Sequence, residues 1–230
     1  MSAVSESYES YLKDEWLLFA GDVARQQEAL RATEGVEVRR VLDVGCGGGQ
    51  DMIPFAAAGA SCVGIDISHE SGVFGRTLFA AHYPNIPVHF ATSTAEHLPF
   101  PSDHFDALVC RVAIPYTDNR VAIREMARVL RPGGVLLLKT HHFWYYVDKA
   151  KKAIRARSLL SLVHSLRVML TGAIYHLTGW QPSGGLLLRE TFLTEGMLRK
   201  ELRSAGLAVD AELADSTPIV RSYRIAKRRP

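Results

Sequence analysis

Residues 41–50 read VLDVGCGGGQ, a short apolar run that ends in four glycines within five positions. Glycine gives up more conformational entropy on folding than any other residue, so a cluster at the end of a buried strand needs a return. The usual return is a turn with no side chains of its own, against which a ligand can lie. The N–H groups opening the helix that follows favour an anionic group there.

The surrounding pattern says what kind of sheet carries this turn. From Val38 onward, short apolar stretches (VEVRRVLDVG, SCVGIDIS, IPVHFATS, FDALVCRV, GVLLLKTH) alternate with stretches of helical spacing that begin near Gln50, His69 and Asn119. Strands that read as continuous apolar runs are buried on both faces, and their alternation with helices predicts a parallel sheet. RPGG, residues 131–134, reads as turn chemistry admitting the chain to the fifth strand. At the other end, Thr194 caps a helix over 194–205 that stops at Gly206. LAVDAEL and PIVRSYRIAKRR follow with no helix between them, so they are expected to pair antiparallel.

Two further pieces flank this alternation. Residues 6–33 predict two N-terminal helices, broken at Gly21 and ended by Gly35. Residues 143–185 have no place in a strand-helix alternation. Leu159, Leu162, Val163, Leu166, Leu170, Ala173, Ile174 and Leu177 recur there at three- and four-residue spacing, which predicts inserted helices ending at the loop signature QPSGG. The expected organisation is a helical cap over 1–36, a core over 37–142 and 186–230, and a helical insertion over 143–185 acting as a lid, in effect one domain.

With 230 residues, 47% of them hydrophobic, the chain can bury one large core. The net charge of +3 is mixed in sign along most of the chain, which argues against a nucleic-acid partner held by field alone. The excess is local: between Tyr145 and Gln181 six basic residues stand against Asp148. Cys46, Cys62 and Cys110 show neither pairing nor metal-ligand spacing, which suits a reducing compartment, and no metal is expected. An N-terminus without a basic start and apolar h-region, and no spanning stretch, predict a cytoplasmic location.

Asp66 ends the second strand twenty-one residues after Gly45. That spacing suits a carboxylate accepting hydrogen bonds from both vicinal hydroxyls of a ribose. A dinucleotide site wants G-x-G-x-x-G, whereas the order here is Gly45-x-Gly47-x-Gly49 preceded by Asp43, so a nicotinamide-dependent oxidoreductase is disfavoured. A non-catalytic nucleoside-binding module is a further alternative. In the nucleoside reading the turn at 45–49 is bare and the Asp66 carboxylate faces the crevice.

Here the chain resembles the class I S-adenosylmethionine-dependent methyltransferases, in particular their small-molecule branch. VLDVGCGGG is similar to that family's first motif and GIDIS to the acidic end of its second strand. STAEHLPFPSDHFDALVC and REMARVLRPGGVLLL match the later segments in family order. The resemblance implies a Rossmann-like, doubly wound, mostly parallel seven-stranded sheet with an antiparallel C-terminal strand, and S-adenosylmethionine as cofactor with S-adenosylhomocysteine as product. It implies that Gly45, Cys46 and Gly47 line the methionine portion, Asp43 helps hold the ammonium, Asp66 with Ile67 takes the ribose side, and Thr94, Ala95 and Glu96 meet the adenine edge. Thr94 stands where the family often has aspartate, which replaces a charged acceptor by a neutral one. Arg111 belongs to the same cofactor set, and Ile114 and Tyr116 line the crevice beside it.

Methyl transfer from a sulfonium demands alignment and, for a hydroxyl or protonated amine acceptor, a base. His141 and His142 follow the fifth strand, where side chains alternate, so one of the pair is expected to face the site as a candidate base; the alternative is that both only end the strand and meet water or the inserted helices. The other histidines lack a partner pattern. Aromatic residues of the cap and insertion, including Tyr8, Tyr11, Trp16, Trp144 and Trp180, favour a bulky, partly apolar small-molecule acceptor. The basic cluster Lys149 to Arg157 fits three accounts: a solvated face, attraction of an anionic acceptor, or peripheral membrane contact through 145–177, of which the solvated face is the default.

Overall fold

The computed structural model describes residues 3–182, 184, 186–213 and 220–228. Seven strands form one sheet: β1 (Arg40–Val44), β2 (Ser61–Asp66), β3 (Val88–Thr92), β4 (Phe105–Arg111), β5 (Leu130–His141), β6 (Leu207–Leu213) and β7 (Val220–Lys227). Their order is β3-β2-β1-β4-β5-β7-β6, and β7 runs antiparallel to both its neighbours while the first five are mutually parallel. The chain winds from β1 outward to β3, then returns to place β4 on the other side of β1. Ligands bind at such a reversal, outside the carboxyl ends of the strands.

Both faces of the sheet are covered, as the continuous apolar runs require. Leu42, Val44, Leu108, Cys110, Leu136 and Leu138 face α5 (Asn119–Val129) and α9 (Glu195–Ser204). On the opposite face, Val41, Val109, Val135 and Leu137 share a core with Ala29 of α2 (Val23–Arg31) and Phe55 of α3 (Ile53–Ala57). Asp118 caps α5 by accepting from the Val121 N–H at 3.1 Å, and Thr194 caps α9 by accepting from the Met197 N–H at 3.4 Å. The remaining helices are α1 (Ala3–Phe19), α4 (His69–His82), α6 (Phe143–Arg155), α7 (Leu159–Thr178) and the short α8 (Leu186–Arg189).

One expectation needs correction. The residues RPGG do not form a separate turn; β5 begins at Leu130 and includes them, with a register irregularity against β4 and Gly133 at φ +79°. Between Phe105↔Leu130 and Ala107↔Val135, β5 carries three more residues than β4, which the irregularity accommodates without ending the strand. The helix expected over the apolar stripe forms as α7, and the stripe itself lies away from the body. Val168 and Tyr175, together with Ser165 and Gly172, make the buried seam, while Leu159, Val163, Leu166, Leu170 and Leu177 are exposed. Gly172 explains the choice, because a Cβ there would stand 2.3 Å from the Phe192 ring. The helix approaches the body on its small-residue side.

One of the side chains that tie the insertion to the core is Gln181. Gln181 Nε2 donates to the Thr117 carbonyl at 2.5 Å, and its Oε1 accepts from the Asn119 N–H at 3.1 Å. Ser183 and Gly185 of the QPSGG loop, and Pro218 and Ile219 of the expected last strand, lie outside the described residues.

Candidate active site

The glycine turn sits at the carboxyl end of β1, beside the reversal. Gly45, Gly47 and Gly49 all take positive φ, at +74°, +52° and +83°. At Gly45 a side chain is doubly excluded, because a Cβ would lie 2.4 Å from that of Ala113. The Gly45 and Cys46 N–H groups donate to the Ile65 carbonyl, which ties the turn to β2. The Gly47 N–H donates to Asp66 Oδ2 at 3.1 Å, and the Ser68 N–H to Asp66 Oδ1 at 2.9 Å. Gly45, Cys46, Gly47 and Asp66 are therefore brought together.

The chain after β4 carries backbone strain at the same place. Val112, a β-branched residue, has φ +64°. Its N–H donates to the Lys139 carbonyl at 2.9 Å, and its neighbour Ala113 fills the space against Gly45. Such a conformation costs about 1–3 kcal/mol and persists where the surroundings over-determine it, commonly at functional sites.

The turn is not bare, contrary to the sequence expectation. Helix α1 lies along it, presenting Tyr8, Leu12 and Trp16 from one helical face. Leu12 Cδ2 is 3.2 Å from where a Cβ of Gly47 would be, and Trp16 Cε3 is 3.4 Å from the corresponding point at Gly48. The Tyr8 hydroxyl is 2.9 Å from Ser71 Oγ and 3.5 Å from Asp66 Oδ1. Burial, then the Asp66 charge, push the Tyr8 hydroxyl up to about 12. Backbone without side chains offers an apolar helix face a flat surface to cover, and α1 takes it.

Asp43 is 1% exposed and its Oδ2 has no hydrogen-bond partner among the described residues. Burial first, and then the neighbouring Asp51 carboxylate, hold its carboxyl well above the usual range. Arg25 is bidentate on Asp51, with contacts of 3.0–3.1 Å, and Arg111 Nε lies 3.5 Å from the same carboxylate. Arg111 thus belongs to an ion-pair cluster beside the turn. Ile67, directly after Asp66, is 53% exposed. The third-strand set follows Ser93, whose N–H donates to the Asp66 carbonyl at 3.0 Å. Glu96 accepts from the Asp118 N–H at 2.8 Å and pairs with Arg189 at 3.1 Å, Ala95 packs on the core, and the Thr94 carbonyl accepts from the His97 N–H.

A second cluster gathers at the ends of β4 and β5. Glu190, 1% exposed, accepts from the Tyr146 hydroxyl at 2.8 Å, and its other oxygen is 2.9 Å from His164 Nε2. Burial and the Glu190 charge raise the Tyr116 and Tyr146 hydroxyls, while burial lowers His164. His141 stacks on Tyr145 with centroids 3.7 Å apart, and its Nδ1 is 3.5 Å from the Tyr146 hydroxyl. His142 turns the other way, its Nε2 3.0 Å from the Tyr223 hydroxyl. Beside it, Phe143, Trp144, Ala173, His176, Leu177, Phe192 and Thr194 complete an apolar cavity of about 480 Å³.

Burial, then the Lys149 and Lys139 charges, depress His141 to about 3. Unfolded, the ring titrates near 6.5. Between these values the unfolded chain binds the extra proton, so the stability from burying a neutral ring is present above about pH 6.5 and is lost as pH falls toward about 3. His141→Asn is therefore expected to flatten the loss of denaturation midpoint between about pH 7 and about pH 5. Parallel curves for the two proteins would show that another group drives the acid limb.

Sequence reasoning passed over Leu12, Asp51 and Glu190, and read His164 as structural or a surface group. Two signals were available. Tyr8, Leu12 and Trp16 stand four residues apart, one face of a helix, and Glu190 ends an acid-free stretch running from Lys149 to Arg189.

A reversed parallel sheet, a glycine turn at the reversal and an acid ending the next strand define a Rossmann-like nucleoside-binding class. Residues 42–138 match the family described as methyltransferase domain. That segment, under half of the chain, holds the glycine turn, Asp66 and the strands from β1 to most of β5, and is similar to S-adenosylmethionine-dependent methyltransferase domains. The chain is 41% identical over 104 residues to the uncharacterized methyltransferase YcgJ of Bacillus subtilis, covering 45% of this chain and 41% of the relative. It is 33% identical over 132 residues to a ubiquinone biosynthesis O-methyltransferase of Mesorhizobium japonicum, covering 57% and 50%. The chain thus spans half or less of these relatives. An S-adenosylmethionine dependent methyltransferase from Mesorhizobium loti shares the fold, with a TM-score of 0.62 at 18% identity over 90% of this chain and 99% of that one. Among the described residues no helix is long and apolar enough to cross a membrane.

Proposed function

We propose that the protein transfers the methyl group of S-adenosylmethionine to a small-molecule acceptor. The observation that carries this reading is the Asp66 carboxylate, held by the Gly47 N–H beside a turn of positive-φ glycines at the sheet reversal. The residues fit the cofactor. Asp66 takes the ribose hydroxyls, Ile67 offers an exposed apolar surface to the base, and the unpartnered Asp43 Oδ2 suits an ammonium. Gly45, Cys46 and Gly47 line the amino-acid portion, with Arg111 beside them; Thr94, Ala95 and Glu96 remain the proposed adenine edge. When bound, the cofactor supplies a methyl group on a sulfonium.

The acceptor side is read from the second cluster. A buried carboxylate that accepts from a tyrosine hydroxyl suits a molecule bearing a hydroxyl, and the name of the ubiquinone O-methyltransferase relative agrees with that chemistry. His141, neutral and stacked, is a weak proton acceptor; the Glu190 and His164 pair is better placed to take the hydroxyl proton.

Cofactor binding in this reading displaces α1 side chains from the turn, which supplies the test. S-adenosylhomocysteine is expected to give a saturable change in tryptophan emission, with NADH giving none. Trp16→Phe is expected to remove the signal while calorimetric binding persists, because Trp144 and Trp180 lie exposed on the insertion. No heat and no fluorescence change with S-adenosylhomocysteine would sink the reading.

A further inference from the structure

We propose that α6 and α7 dock the protein onto an anionic lipid surface. Helix α7 is apolar on two opposite sides, and a helix of that kind is covered on both. One side packs on the body through Val168 and Tyr175. The other presents Leu159, Val163, Leu166, Leu170 and Leu177, with Leu160 at 83% and Leu177 at 86% exposure. Trp144 and Trp180 are exposed near the same helix, and their amphipathic rings suit the boundary between headgroups and acyl chains.

Charge identifies the occupant. From Lys149 to Arg189 the chain has seven basic residues and no acid. Lys151, Lys152, Arg155 and Arg157 are exposed on α6 or directly after it. An apolar helix face flanked by an acid-free basic segment matches a lipid surface that is apolar within and anionic at its rim. A second copy of the chain fits poorly, because pairing through this face would bring two basic segments together with only Asp148 on α6, already paired with Lys152 at 2.8 Å, to offset them. Trp144 and Leu177 also line the apolar cavity, so docking brings that cavity to the lipid. The inference stands independently of the cofactor reading, since nothing in its test involves S-adenosylmethionine.

The full chain is tested by co-sedimentation with vesicles of phosphatidylcholine mixed with phosphatidylglycerol, against pure phosphatidylcholine. Binding is expected to the mixed vesicles at low salt, weakening at ~0.5 M salt as the surface potential is screened. Leu166→Glu with Leu170→Glu is expected to lower binding by at least ~10-fold with melting unchanged, because both side chains are already in solvent. Lys151→Glu with Arg155→Glu, which leaves the apolar face intact, is expected to lose a comparable ~10-fold on mixed vesicles. Wild-type protein left in the supernatant with mixed vesicles overturns the proposal, as does binding indifferent to both double variants. A concentration-dependent dimer in sedimentation velocity, dissociated by Leu166→Glu with Leu170→Glu and indifferent to vesicles, assigns the face to a second copy instead.

Discussion

Asp66→Ala is expected to weaken S-adenosylhomocysteine binding by ~10²-fold or more, measured by calorimetry. A carboxylate accepting from two ribose hydroxyls makes two hydrogen bonds to a charged group, each contributing about 1.5–3 kcal/mol. The same carboxylate accepts the Gly47 and Ser68 N–H groups, so its removal also loosens the turn. Asp66→Asn separates the two effects. Its amide carbonyl still accepts hydrogen bonds without the charge, and an intermediate loss of ~10-fold is expected. Wild-type affinity in Asp66→Ala, with the fold intact by circular dichroism, would remove Asp66 from the cofactor site and with it the main support for the reading.

Glu190→Ala is expected to cost about 3–5 kcal/mol of stability, the range for removing one member of a buried charged network. The Tyr146 hydroxyl and His164 would be left facing each other across an apolar gap. Tyr146→Phe removes one neutral donor and is expected to cost only about 1 kcal/mol. Chemical denaturation at neutral pH reads both. Glu190→Gln keeps the shape and, once an acceptor is in hand, distinguishes support from chemistry. A proton-accepting role predicts a kcat lower by ~10²-fold or more with KM little changed. Unaltered kcat would leave Glu190 as a positioning and folding residue.

How far the sequence could be read follows from how local each feature is. The succession of strands up to β5 was legible because apolar runs, glycine turns and N-caps such as Asp118 and Thr194 act within a few residues. Asp66 was legible because its distance from Gly45 is one strand-helix-strand unit. Thr94, Ala95 and Glu96 were carried over from the family pattern, and the structure engages Glu96 with Arg189, ninety-three residues away. In α7 the periodicity of leucines announced a helix but did not say which face packs. Apolar side chains recur on both sides, and the side that packs is chosen by Gly172 and Ser165, whose small volume allows close approach to Phe192.

The sequence by itself determined a parallel strand-helix alternation, the place of its glycine turn and the acid beside that turn, since these depend on backbone preference and on periods of two and 3.6 residues; the doubly wound order came from the family resemblance. Tertiary structure alone decided that α1 lies over the turn through Tyr8, Leu12 and Trp16. It also gathered Glu190, Tyr146 and His164 into one buried cluster, and left the leucines of α7 facing outward. Each of these is a contact, or a choice among faces, settled between segments tens of residues apart, where packing volume and charge pairing decide and local propensity carries no information.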